Sequence, residues 1–288
     1  MRLRCRISPD ADDLFMFRAI LLGLIDTEGL RFDTGMLDTH GLNLAARKSN
    51  EDLDLTAMSI AAYPSIANEW QLLSHSGSVG RNYGPVLVAQ EAFSTKHLSE
   101  LRIGTPGPST TAHTILRLHT PKFEAVTVPI TPPEAVFEHL EHGDIDAALL
   151  IHEGRLVYPA RGYRLILDIG EWWAQHTKGL PLPLGGMVIR RSLGSNIIEK
   201  ANRVIHRSIV HAMENRTAAI QWLLNRGEGP LKTFEEVDAY LHLYANNDSL
   251  DYGEDGIHAI EELLRQASKA GLLHTHNGID MVPHPSRI

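Results

Sequence analysis

Asp52-Leu-Asp-Leu-Thr-Ala-Met-Ser-Ile60 and Asp144-Ile-Asp-Ala-Ala-Leu-Leu-Ile-His152 echo one another. Each opens on an Asp-x-Asp turn and runs into an apolar stretch of strand length. Each also follows a helical pattern, Leu42 to Lys48 before the first and Thr131 to Leu140 before the second. In the second helix Thr131 and Glu134 have capping-box spacing, Pro132 takes the tolerated first helical position and Gly143 ends the helix. Two such units, about ninety residues apart, predict two similar α/β lobes.

Working outward, Arg2 to Ile7 is read as the first strand. Ser8-Pro9-Asp10 turns the chain, Asp10 is placed to cap a helix through Leu14, Phe15, Phe17 and Ile20, and Asp13 suits its first turn. The second lobe opens near Leu101-Arg-Ile-Gly104, with a helix from Ser109-Thr110-Thr111 to Leu118. Gly179 to Gly186 is too rich in Pro and Gly for a regular element, and reads as a stiff crossing segment before a strand at Met187 to Ile189. Helical patterns follow from Ser195 and over Ile257 to Leu273. The expected division is 1–90 with 190–288 as one discontinuous lobe and 91–189 as the other.

Composition limits the function classes. The chain has 288 residues, 43% of them hydrophobic and 22% charged, as in a soluble globular protein. A net charge of −8 argues against nucleic acid as a partner, yet leaves room for a small carboxylate held by a few local donors. The single cysteine, Cys5, excludes an internal disulfide framework and a multi-cysteine metal site. No signal peptide is read at the start, and no apolar run approaches the roughly 20 residues of a membrane span. A cytoplasmic protein without a membrane partner is expected. The residues leave the oligomeric state open, a homodimer included.

Ligands of α/β sheets gather beyond the carboxyl ends of the strands. Four such ends carry polar, small or glycine-rich residues: Ser8 to Asp12, Ser59 with Tyr63, Gly104 to Thr111, and His152-Glu-Gly-Arg155. Ser109, Thr110 and Thr111 can offer hydroxyls and amides at a positive helix end, a seat for a carboxylate; Ser109 alone can equally be a helix cap. His152 directly follows the buried run, and an imidazole there can accept a proton near neutral pH. Glu153 can orient the ring or solvate the loop, and Arg155 can pair with a substrate anion or with a carboxylate of the protein. Gly77 to Pro85 reads equally as backbone closing on a ligand or as a tight connection. Trp172-Trp173 reads as core or lobe packing. Neither G-x-G-x-x-G nor a P-loop occurs, and the pairs His139/His142 and His274/His276 lack further ligands, so the residues call for neither a nucleotide cofactor nor a metal.

From Ser8 to about Arg191 the chain resembles the 1,4-dihydroxy-6-naphthoate synthase family of the futalosine route to menaquinone. The resemblance is carried by Ser8-Pro9 with Asp13, Phe15 and Phe17, by Thr56-Ala-Met-Ser-Ile60, and by Gly77 to Val88. Its most specific parts are Ile151-His-Glu-Gly-Arg155, Gly170-Glu-Trp-Trp173 and Leu180-Pro-Leu-Pro-Leu-Gly-Gly186. It implies a two-lobed periplasmic-binding-protein type II fold with a central cleft. It also implies carbon–carbon cleavage of cyclic dehypoxanthinyl futalosine to 1,4-dihydroxy-6-naphthoate, with His152 as the general base. Substrate contacts carry over to Ala57, Met58, Ser59, Thr110 and Thr111; Ser8, Asp10, Ser109 and Arg155 complete the expected site. Many members have Pro-Asn-Asp where this chain has Ala11-Asp12-Asp13, which sets extra negative charge beside an anionic substrate unless it faces solvent. The rival readings are a non-catalytic solute-binding protein of the same fold and a chorismate dehydratase-like enzyme of the same pathway.

Overall fold

The computed structural model describes residues 1–48, 52–130, 132–274 and 278–287. Twelve strands form two sheets among them. In chain order they are β1 (Arg2–Ile7), β2 (Arg31–Met36), β3 (Leu55–Ser59), β4 (Trp70–Leu73), β5 (Ser78–Gly80), β6 (Val86–Ala89), β7 (Arg102–Thr105), β8 (Glu124–Thr127), β9 (Ala147–Leu150), β10 (Arg164–Asp168), β11 (Leu182–Arg190) and β12 (Met281–Val282). The first sheet runs β12-β4-β11-β3-β1-β2 with β5 against β11; the second runs β10-β6-β9-β7-β8.

Each sheet has a parallel core: β2, β1 and β3 in the first, β8, β7 and β9 in the second. The strands that follow each passage between the lobes, β6 and β11, are antiparallel to their neighbours. They also move the boundaries read from the sequence. Residues 86–89, expected in the first lobe, belong to the second sheet, and 182–190, expected mostly in the second lobe, belong to the first. The Pro/Gly stretch is therefore partly a strand. Pro183 is accommodated because the pairing with β5 shifts register between Pro183 and Gly185, and an irregular ladder tolerates a residue without an N–H.

The sequence echo has a physical cause. Asp54 accepts the backbone N–H of Arg4 at 2.8 Å and its guanidinium through Nε at 2.9 Å and Nη2 at 2.8 Å. Asp146 takes the same three groups of Arg102 at 2.8, 3.1 and 2.6 Å. In each lobe the second aspartate of the turn thus ties the start of a buried strand to the parallel strand beside it, β3 to β1 and β9 to β7. Bidentate guanidinium–carboxylate geometry adds register as well as energy.

The helices are α1 (Ala11–Leu21), α2 (Thr39–Arg47), α3 (Thr111–His119), α4 (Pro133–Glu141), α5 (Gly154–Val157), α6 (Ile169–His176), α7 (Ser195–Glu214), α8 (Arg216–Arg226), α9 (Phe234–Tyr244), α10 (Asn247–Leu250) and α11 (Gly253–Lys269). Thr131, expected to cap α4, lies outside the described residues; the helix starts one residue later than read, with Pro132 before it and Gly143 beyond its end at φ +73°. One apolar cluster fills the first lobe around Phe15, Phe17 and Ile205, and a smaller one fills the second around Val88 and Phe137. A third joins them, with Ile60 and Tyr63 from one side meeting Ile115, Leu149 and Trp173 from the other. Trp173 is fully buried and donates Nε1–H to Pro181 O at 2.9 Å, so it packs between the lobes rather than offering a stacking face. At the passage beside it, a Cβ on Gly170 would fall 1.9 Å from the Tyr83 carbonyl carbon. The glycines there make a tight connection.

Candidate active site

The carboxyl ends of the parallel strands from both sheets meet at one cleft of about 740 Å³, open mouth included. Its walls carry Ser8 after β1, Ala57, Met58 and Ser59 at the end of β3, Thr110 and Thr111 at the start of α3, and His152 just past β9. Strand ends in both halves of the chain therefore converge as their positions in the sequence suggest.

His152 turns the chain from β9 toward α5 with φ +51°, in the left-handed region where a side chain is strained. Its Nε2 lies 2.9 Å from Thr39 Oγ1 and 3.3 Å from Asp10 Oδ2, both in the first lobe. Asp10 occupies the cap position of α1 but makes no capping bond. Its carboxylate is taken instead by the Ser8 hydroxyl and by the approach of His152. Burial raises the Asp10 carboxyl, and the His152 imidazole opposes that rise.

Below this pair lies a buried acidic floor. Asp12 accepts the Tyr240 hydroxyl at 2.9 Å and the Ser78 hydroxyl at 2.7 Å. Asp13 accepts the Ser8 N–H at 2.7 Å, and Glu153 accepts the Ala11 N–H at 3.1 Å. Burial pushes the carboxyls of Asp13 and Glu153 well above the usual carboxylate range; Asp12 adds to this for Asp13, and Asp10 for Glu153. The extra acidic residues of the Ser8–Asp13 segment thus do not face solvent. Their charge is met by burial, hydroxyls and amides, which favour the protonated form of some and solvate the others.

The opposite wall is the N-terminal end of α3. Thr110 caps it, accepting the His113 N–H at 3.3 Å, and donates its own hydroxyl to Gly107 O at 2.8 Å. The Thr111 hydroxyl donates to Leu184 O at 2.7 Å. With both hydroxyl protons engaged, the donors suited to an anion there are the first-turn amides that the Thr110 cap does not take, which no helix satisfies internally.

Three expected residues stand behind the walls rather than in them. Asp10 faces Ser8 and His152 as described. Ser109 neither caps the helix nor lines the cleft; it is held by His40 Nδ1 at 3.2 Å and by Asn43 Nδ2 at 3.2 Å through its carbonyl. Asn43 also donates to Ser59 Oγ at 3.0 Å, joining the two lobes behind the site. Arg155 pairs with Asp168 at 2.7 Å and with the Gly84 carbonyl, which is the protein-carboxylate alternative of the sequence reading. Thr39, Asn43 and Tyr240 are absent from the expected site, because no motif or strand end marks them, and Ser78 reads only as part of the Gly77 to Pro85 loop. Among the described residues no group of three or more His, Cys, Asp or Glu side chains is arranged to hold a metal; His276 lies outside them. No helix among them is long and apolar enough to cross a membrane.

A family model described as menaquinone biosynthesis matches residues 3–269. The chain belongs to that family. It is 33% identical over 270 residues to the 1,4-dihydroxy-6-naphthoate synthase of Thermus thermophilus, covering 94% of this chain and 95% of that one. It is 30% identical over 278 residues to the enzyme of the same name from Streptomyces coelicolor, with 94% of each covered. A crystal structure of a protein from Archaeoglobus fulgidus superposes with a TM-score of 0.87 at 34% identity, over 94% of this chain and 98% of that one. The alkanesulfonate-binding protein SsuA of Xanthomonas axonopodis, bound to MOPS, gives a TM-score of 0.66 at 12% identity, over 95% and 94%. That second likeness speaks to the fold alone, and it is the periplasmic-binding-protein fold expected from the sequence.

Proposed function

We propose that this protein is a carbon–carbon lyase of menaquinone biosynthesis that forms 1,4-dihydroxy-6-naphthoate from cyclic dehypoxanthinyl futalosine, with His152 as the general base. The observation that carries the role of His152 is its position: the ring lines the cleft between the lobes, facing the same space as the N-terminal end of α3.

The chemistry divides between the two walls. The first-turn amides of α3 hold the substrate carboxylate at the positive end of the helix dipole. This fixes the ring system while the sugar-derived part lies toward His152, and positioning of this kind lowers the entropic part of the barrier. The imidazole takes a hydroxyl proton from the sugar part. The O–H electron pair forms a carbonyl, and the pair of the breaking carbon–carbon bond moves into the ring system, which becomes aromatic. The imidazolium then returns the proton to the product, so the step is redox-neutral. General-base assistance typically contributes about 10²–10⁴-fold. Ser8, Ala57, Met58 and Ser59 complete the substrate contacts, and the setting is the cytoplasm, with no nucleic acid taking part.

Purified protein incubated with cyclic dehypoxanthinyl futalosine is expected to release the naphthoate, detected by absorbance and mass. Chorismate run in parallel is expected to remain unchanged. Binding of the first compound without any product would overturn the lyase reading and favour a binding protein.

A further inference from the structure

We infer that Asp10 is a positioning residue that keeps a proton on Nε2 of His152 and so makes Nδ1 the proton-accepting nitrogen; this rests on the reading of His152 as the base. A neutral imidazole carries its proton on one nitrogen, and the neighbours of each nitrogen decide which. Here a carboxylate oxygen, Asp10 Oδ2, stands 3.3 Å from Nε2, and the Thr39 hydroxyl oxygen stands 2.9 Å from it. A lone pair on Nε2 would face the carboxylate oxygen at that distance; an N–H there meets the Thr39 hydroxyl oxygen as its hydrogen-bond acceptor, with the Asp10 carboxylate beside it as a charge partner. Asp10 is in turn fixed by the Ser8 hydroxyl and lies 5% exposed, so its charge is little screened by water.

The charged groups around the pair bear on the same point. His152 Nε2 faces Asp10 directly; Asp12 adds negative charge from α1, while Glu153, whose carboxyl burial raises, is a hydrogen-bond partner of the Asp10 carboxylate. No cation is paired with Asp10, whose ion-pair partner among the described residues is His152. The imidazolium formed when His152 takes the substrate proton is therefore met at once by an anion already in place. Asp10 does not line the cleft, so it acts through the ring and not on the substrate.

Three measurements test this. In Asp10→Asn, kcat is expected to fall roughly 10-fold to 100-fold with KM nearly unchanged, and the acidic limb of the kcat profile to move down by about one pH unit, because an opposite charge within ~4–6 Å is lost. In the unmodified protein, nitrogen NMR of labelled histidine is expected to report the Nε2–H tautomer for the signal that vanishes in His152→Ala. In His152→Ala itself, turnover is expected to be lost. If His152→Ala is inactive while Asp10→Asn keeps the wild-type kcat and pH limb, or if the proton is on Nδ1, the role of Asp10 is overturned and the base stands. Should His152→Ala turn over normally, the base assignment falls and Asp10 with it. The NMR arm needs no variant of Asp10, so a misfolded Asp10→Asn leaves the inference open to refutation.

Discussion

Thr39 Oγ1 and His152 Nε2 stand 2.9 Å apart across the cleft, one at the start of α2 in the first lobe and the other at the end of β9 in the second. The ring that lines the cleft is thus held by the opposite lobe. Removing the hydroxyl in Thr39→Val while keeping the side-chain shape is expected to cost about 0.5–1.5 kcal/mol of stability and to lower kcat more than it raises KM. Denaturant melts and steady-state kinetics read both effects.

The backbone at His152 gives a second prediction. At φ +51° a glycine is free of the Cβ strain that any other residue carries. His152→Gly and His152→Ala both lose the imidazole and are expected to be inactive. The glycine variant is expected to be the more stable of the two by about 1 kcal/mol, measured by chemical denaturation.

His75 predicts how stability changes on acidification. It is fully buried, its Nδ1 beside Ser76 Oγ and its Nε2 2.8 Å from Asn202 Oδ1, and burial together with the neighbouring His206 lowers it to about 3. The unfolded chain therefore binds this proton first, and the stability tied to a neutral His75 is lost as pH falls from about 6.5 toward the folded value. Thermal midpoints are expected to drop over that window, and to drop less in His75→Gln.

Glu153 has the opposite sign. Burial first, and then the charge of Asp10, raise its carboxyl in the folded state, so the stability from the protonated form is lost as pH rises through that raised value. Glu153→Gln keeps an acceptor for the Ala11 N–H and carries no charge. Its melting temperature is expected to exceed that of wild type increasingly as pH rises.

Trp173 joins the lobes through the shared apolar cluster. Trp173→Ala is expected to destabilise by about 3–5 kcal/mol, with loss of the single cooperative transition in calorimetry.

The sequence made some of this legible and hid the rest for physical reasons. Strand ends and helix starts are local, so Ser59, Thr110 and His152 could be placed from neighbours in the chain. The Asp-x-Asp echo was visible, although its arginine partners were not. Side-chain direction was the main gap. Asp10 reads as a helix cap because its type and position fit one, yet its carboxylate finds a better partner in a ring 142 positions away in the chain. Thr39 meets His152 across 113 positions, and Tyr240 meets Asp12 across 228. Periodicity and capping rules carry no information over such separations.

The most direct measurement compares His152→Gln with wild type on cyclic dehypoxanthinyl futalosine, recording substrate affinity by calorimetry and product release by mass. The expected result is near-wild-type affinity with naphthoate formation reduced at least ~10²-fold. Product formation at the wild-type rate would contradict the central claim.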